Sequence, residues 1–135
     1  MTLQFSVPVR NARLDAIETT IGSGAVLRIL SGSMPANCAA AETGTVLAEI
    51  SLPSDWMLAA SAGAKAKDGT WTTATADATN TAGYFRIYDS TITTCGMQGL
   101  CTDTAGAGPM KLSSTAVVSG EPVTIATFTL TDGNA

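Results

Sequence analysis

Three cysteines and no histidine bound the chemistry this chain can reach. Cys38, Cys95 and Cys101 are an odd number, so no complete disulfide framework is available, and a Cys/His metal site is excluded. Cys95 and Cys101 bracket GMQGL and could close a small loop in an oxidising setting. Three reduced thiols used as small apolar side chains is the preferred reading. A catalytic nucleophile needs an adjacent base; here that base would be Lys65, Lys67 or Lys111, and none sits in a recognisable motif. Ser54 and Ser113-Ser114 read as turn and strand residues. Asp55, Asp68, Asp77, Asp89 and Asp103 could supply the carboxylate pair of a glycosidase. Most of them fall in expected turns, where Asp bonds its own backbone. No D-x-D-x-D-G calcium loop is present, and Gly22-Ser23-Gly24 leads into a strand, whereas a phosphate cradle leads into a helix. No catalytic, cofactor-binding or metal-binding residue is nominated. The chain reads as a non-enzyme with no cofactor and no small-molecule substrate.

What remains is a stripe suited to contact. Thr81 to Ser90, TAGYFRIYDS, holds Tyr84, Phe85 and Tyr88 among aliphatic and charged residues. As a strand it points Phe85 and Ile87 to one side and Tyr84, Arg86 and Tyr88 to the other. The first pair is assigned to the core. The second set is either an interface, since Tyr and Arg are enriched there, or a sheet face whose side chains cover one another.

The elements that must position this stripe are mostly short strands. Val7 to Ile21 comes first, with Val7, Leu14, Ile17 and Ile21 on one helical face, and predicts a helix over roughly 9–21. Pro8 is tolerated in its first turn and Gly22 stops it. Leu14, Ile17 and Ile21 are expected to pack on the β-domain or on a neighbouring subunit. AVLRILSG then sets Leu27 and Ile29 against Val26, Arg28 and Leu30, and residues 33–44 read as a long surface connection with a helical turn over AAAE. TVLAEISL groups Val46, Ala48, Ile50 and Leu52, and Pro53 ends it. Trp56, Leu58 and Ala60 suggest a short strand broken at Gly63. Asp68-Gly69 predicts a hairpin joining AKAK to TWTTATA. TITTCGMQGLCTD reads as a strand followed by a glycine-containing turn, and MKLSST as a strand aligning Met110 with Leu112. In EPVTIATFTLTDG, Val123 and Ile125 have the opposite parity to Phe128 and Leu130, which predicts a β-bulge near Ala126. Eight or nine strands with turns between them is the pattern of an all-β sandwich or barrel.

Bulk properties agree with a single domain: an arm and helix over 1–22, then a β-sandwich over 23–135. Hydrophobic residues are 45% of the chain and charged residues 13%, which argues against disorder and suits a surface covered by partners. With a net charge of −4 and seven scattered basic residues, no nucleic-acid stripe forms. MTLQFSVPVRNARLD lacks an apolar signal core, and no apolar run is long enough for a membrane span, so synthesis and folding in a cytoplasm are expected.

Taken in order, RNARLDAIETTIGSGAVLRILSGSMPAN, TGTVLAEISL, ATNTAGYFRIYDS and SGEPVTIATFTLTDGNA resemble small proteins of tailed-bacteriophage and prophage structural modules, several of them head decoration or cement proteins. The resemblance spans nearly the whole chain as a pattern of strands and turns, with TTCGMQGLCTDTAGAG as its variable part. It implies a jelly-roll-like β-sandwich that sits on the capsid surface of the virion as a homodimer or homotrimer. The partner that the resemblance implies is the major capsid protein. Leu14, Ile17 and Ile21, or Tyr84, Arg86 and Tyr88, would make those contacts. Another virion part (tail, baseplate or head fibre) and a host-glycan-binding module are the alternatives.

Overall fold

The computed structural model describes residues 2–73 and 75–133. Within them the protein is mostly β, with one N-terminal helix, α1 (Val7–Ile21), and nine strands. These are β1 (Val26–Ser31), β2 (Val46–Ser51), β3 (Ala64–Ala66), β4 (Thr72–Thr73), β5 (Asn80–Tyr88), β6 (Cys95–Thr102), β7 (Met110–Leu112), β8 (Ala116–Val117) and β9 (Val123–Thr131). They form one curled sheet in the order β2-β1-β5-β6-β7-β9-β3, with β4 also on β9 and β8 on β5. Pairing is antiparallel except between β6 and β7.

The inner face of the curl is the core. Leu27 and Ile29 of β1 lie beside Phe85 and Ile87 of β5, then Met110 and Leu112 of β7 and Val123, Ile125 and Phe128 of β9. Trp56 and Trp71 fill the hollow, with ring centroids 6.1 Å apart. Phe128 connects them to Phe85, 5.5 Å from Trp71 and 5.4 Å from Phe85. Each indole N–H donates to a carbonyl, Trp56 to Gly22 and Trp71 to Asp68, so neither ring is buried at the cost of an unpaired donor.

The expected bulge at Ala126 is present. Lys111 pairs Thr127 and Leu112 pairs Ile125, so Ala126 is skipped and Ile125 and Phe128 both reach the core. A second bulge was not foreseen. Ile29 pairs Ala48 and Leu30 pairs Val46, which leaves Leu47 as the extra residue. Leu47 is thereby fully buried and Val46, grouped with Ala48 by alternation alone, turns to the other side.

Several local expectations are corrected. Trp56, Leu58 and Ala60 form no strand; the chain there makes a tight bend, bridging Met57 to Lys67 and Ser61 to Ala64. Gly69 does have the positive φ of a turn, 68°. The segments on either side of Asp68-Gly69 do not pair with each other, however: β3 takes residues 129–131 of β9 and β4 takes Val123 and Thr124. The order of turn and strand is reversed after Ser90. Asp89 organises a turn through the N–H groups of Thr93 and Thr94, and GMQGL is the strand β6 itself. Residues 33–44 have only an Asn37-capped turn, with no helical turn over AAAE.

Candidate functional site

The outer face of the sheet should have carried the Tyr84-Arg86-Tyr88 stripe to solvent. Instead Tyr84 is 0%, Arg86 2% and Tyr88 6% exposed. Residues 32–45, between β1 and β2, fold over that face as a flap. Thr43 N–H donates to the Tyr84 hydroxyl at 3.0 Å, and that hydroxyl donates to Thr43 O at 2.6 Å. Arg86 donates to Asn37 O at 3.1 Å and twice to the side-chain oxygen of Gln98, at 2.9 and 3.1 Å. Gln98 in turn donates to Pro35 O at 2.8 Å. The flap returns to the sheet through Gly44 (φ 73°), where a Cβ would overlap the Ser31 carbonyl, so no other residue fits there. Arg28 adds an ion pair to Glu42 of the flap at 2.5 Å, another to Glu49 at 2.9 Å, and lies 5.5 Å from the Tyr88 ring centroid. The stripe is thus the floor of an internal layer, covered by the chain's own flap.

The helix is also held differently from its apolar periodicity. Leu14 is buried at 4% exposure and Ile21 packs in part against the core, but the remaining contacts are polar. Asn11 accepts from Gly63 N–H, Asp15 from Ala60 N–H, and Glu18 from the N–H groups of both Trp56 and Met57. At the centre Lys65, 3% exposed, reaches Asp15 at 2.7 Å and Glu18 at 3.1 Å and donates to Leu58 O. Arg10 donates to Asp132 O, and Arg13 pairs the Asp132 carboxylate at 3.2 Å.

These contacts set the local charge states. The Lys65 hydrogen bond, then the Ala60 N–H, hold Asp15 below the ordinary carboxylate value. Burial pushes Glu18 up, but the Met57 N–H and Lys65 outweigh it and leave it lowered. Burial likewise pulls Lys65 down, and its two carboxylates more than reverse that. Asp55 beside Glu18 is raised by their shared hydrogen bond. A lysine so fully ion-paired is a poor base or nucleophile, because its lone pair is occupied by a proton the site favours.

Ile17 and Ile21 lie half-buried, and with Arg13, Thr20, Thr94 and Gly96 line an open groove of about 490 Å3 between α1 and the β5–β6 turn. A Cβ on Gly96 would come within 2.5 Å of Ile21, so the bare backbone is what lets the helix end settle there. Beside the groove, the N-terminal arm lays Phe5 against Arg13, 4.8 Å from ring centroid to guanidinium. Leu3, Val7 and Val9 are exposed at 52%, 43% and 44%.

Of the residues expected to contact partners, then, Leu14, Tyr84, Arg86 and Tyr88 are occupied inside the molecule, Ile21 packs in part against the core, and Ile17 and Ile21 line an open groove. Periodicity could not have revealed the Asp15–Lys65–Glu18 cluster. Its only trace is an acidic pair three apart on a helix and a lysine set between alanines. Among the described residues no group of three or more Cys, Asp or Glu is placed to hold a metal, and no helix is long and apolar enough to cross a membrane. No family model, curated protein or solved structure matches the chain.

Proposed function

We propose that the chain is a structural virion protein of a tailed bacteriophage, a cement protein that binds the major capsid protein on the capsid surface and acts as a homodimer or homotrimer. The reading begins from the resemblance in strand and turn order. The observation that carries it furthest is the row of exposed apolar residues Leu3, Val7 and Val9 on the arm and first turn of α1. An apolar arm anchored by a docked helix is a contact device, while the groups that could do chemistry are engaged internally: Lys65 by two carboxylates, Arg86 by the flap. The contact residues are accordingly moved from Leu14 and the β5 stripe to the arm and to Ile17 and Ile21. The curling of the sheet, with the Asp77 N–H bonded to Leu47 O of β2, supports a jelly-roll-like sandwich as the finer description of the fold.

The mechanism is linkage. A protein that binds only the assembled shell stabilises it by mass action, and symmetric copies bridging capsomers add contact without chemistry. The test mixes purified chain with assembled shells and with unassembled capsid protein, then counts bound copies. High-copy binding to shells alone is expected, lost in the Val7→Asp/Val9→Asp variant with the fold intact. Normal decoration by that variant removes the arm as the contact; low copy number at one vertex or on the tail favours another virion part. A sugar-dependent melting shift favours the glycan-binding alternative.

A further inference from the structure

The bulge in β6 gives the cysteines a relationship that sequence spacing hides. Arg86 pairs Gln98 and Ile87 pairs Met97, but Tyr88 pairs Cys95, so Gly96 is skipped. Paired residues in a sheet share a face. Cys95 therefore lies on the outer face with Tyr88 and Gln98, whereas Cys101, in step with Met97 and Gly99, lies on the inner face and belongs to the core. The two stand at opposite ends of one strand, six residues or about 20 Å apart, far beyond disulfide reach. The small loop that the spacing of Cys95 and Cys101 suggests is thus ruled out.

The partner on the outer face is Cys38. The flap is fixed on both sides of it, by Pro35 O and Asn37 O to Gln98 and Arg86 and by Thr43 to Tyr84. That places Cys38, next to Asn37 and its bond to Arg86, on the outer face that Cys95 shares with Tyr88 and Gln98, where the two thiols perturb one another and the Cys95 S–H donates to Met97 O at 3.3 Å. Both thiols are half-buried and free. We propose that Cys38 and Cys95 form a disulfide that locks the flap to the sheet whenever a low-molecular-weight disulfide is present as oxidant.

The step balances. One protein thiolate attacks the oxidant's S–S bond, forms a mixed disulfide and expels one thiolate. The second protein sulfur attacks the mixed disulfide, making the Cys38–Cys95 bond and releasing the second small thiol. The protein loses two protons and two electrons in total, and the oxidant is reduced to two thiols. Burial, with the Cys38 thiol beside it, pushes the Cys95 thiol up to about 11, and burial alone pushes Cys101 to about 12. Exchange is accordingly slow at neutral pH and accelerates as pH rises. The bond joins chain positions on different elements, so it constrains the unfolded chain strongly.

The test uses the full chain folded in buffer, treated with oxidised glutathione at pH 8.5 and then with iodoacetamide. Intact mass should fall by two hydrogens, with one thiol left to alkylate after unfolding. Cys101→Ser should still cross-link, while Cys38→Ser and Cys95→Ser should not, each variant first shown folded by circular dichroism. The oxidised wild type and Cys101→Ser should melt roughly 5–15 °C higher than their reduced forms. A cross-link that persists in folded Cys38→Ser, or a folded wild type that keeps three alkylatable thiols after prolonged oxidation, overturns the proposal.

Discussion

Two buried cations lie under two covers of the same sheet, and they are treated in opposite ways. Lys65 sits beneath α1 with two carboxylates within 3.1 Å. Arg86 sits beneath the flap, 2% exposed, and among the described residues no carboxylate is within ion-pair distance of it; its partners are Gln98, the Asn37 carbonyl and the Tyr88 hydroxyl. Burying a charge is costly unless it is paired and hydrogen-bonded. The lysine meets that cost with opposite charge. The arginine meets it by spreading a delocalised cation over neutral acceptors in a planar fork, which an ammonium cannot do. The helix is thus an electrostatic cover and the flap a hydrogen-bonded one, and the two should fail under different insults.

The largest effect is expected from Lys65→Met. It leaves Asp15 and Glu18 facing the Trp56–Ala60 backbone without a counter-charge. Breaking one side of a buried pair costs about 3–5 kcal/mol; because the Asp15 side chain is 46% exposed, solvent relieves part of this and about 2–3 kcal/mol is expected. Urea unfolding followed by circular dichroism measures it. A loss under about 1 kcal/mol would show that the backbone N–H groups alone hold the helix.

Acid should act on the same cover more gently. Asp15 and Glu18 are both lowered from ordinary values of 3.8 and 4.5. A lowered carboxyl contributes stability that is fully present above its unfolded value and lost as pH falls through the folded one. The helix contact therefore weakens below about pH 4. Asp55, raised by Glu18, runs the other way and offsets part of the loss. Stability measured at pH 7 and pH 3 should drop more in the wild type than in Asp15→Asn/Glu18→Gln. Equal drops would place the acid sensitivity elsewhere.

How much of each cover was legible follows from what periodicity can report. The Ala126 bulge was readable because Val123, Ile125 and Phe128 conflict in parity within one strand. The face shared by Tyr84, Arg86 and Tyr88 was readable for the same reason, since strand alternation is local. That this face is covered was not, because the cover comes from Asn37 and Thr43, some forty or more residues upstream. Apolar spacing found the helix and, in Leu14 and Ile21, the apolar part of its docking face; the polar remainder depends on backbone N–H groups at 56–63 that no pattern displays. Asp68-Gly69 announced a turn correctly while saying nothing of which strand its flanks would join, a decision made by β9.

On the flap side, Tyr84→Phe is the moderate change. The Tyr84 hydroxyl closes a two-way bond with Thr43, so its removal deprives that backbone pair of both partners. About 1 kcal/mol is expected, with faster amide exchange across residues 39–45 and none across α1. Exchange that rises in the helix as well would mean the two covers are one cooperative unit.

Arg86→Met should be the mildest, and it tests the comparison most directly. Methionine keeps the length and apolar stem and removes a charge whose desolvation no carboxylate offsets. The accompanying loss is of hydrogen bonds to Gln98 and Asn37 O, neutral acceptors near the half-open edge of the flap. The two contributions oppose: the desolvation of the cation is relieved, while the neutral acceptors lose their donor. A loss of about 1 kcal/mol or less is expected, against the larger loss for Lys65→Met in the same urea assay. A loss as large as that of Lys65→Met would show that neutral acceptors hold a buried guanidinium as firmly as two carboxylates hold an ammonium, and the distinction between the two covers would collapse.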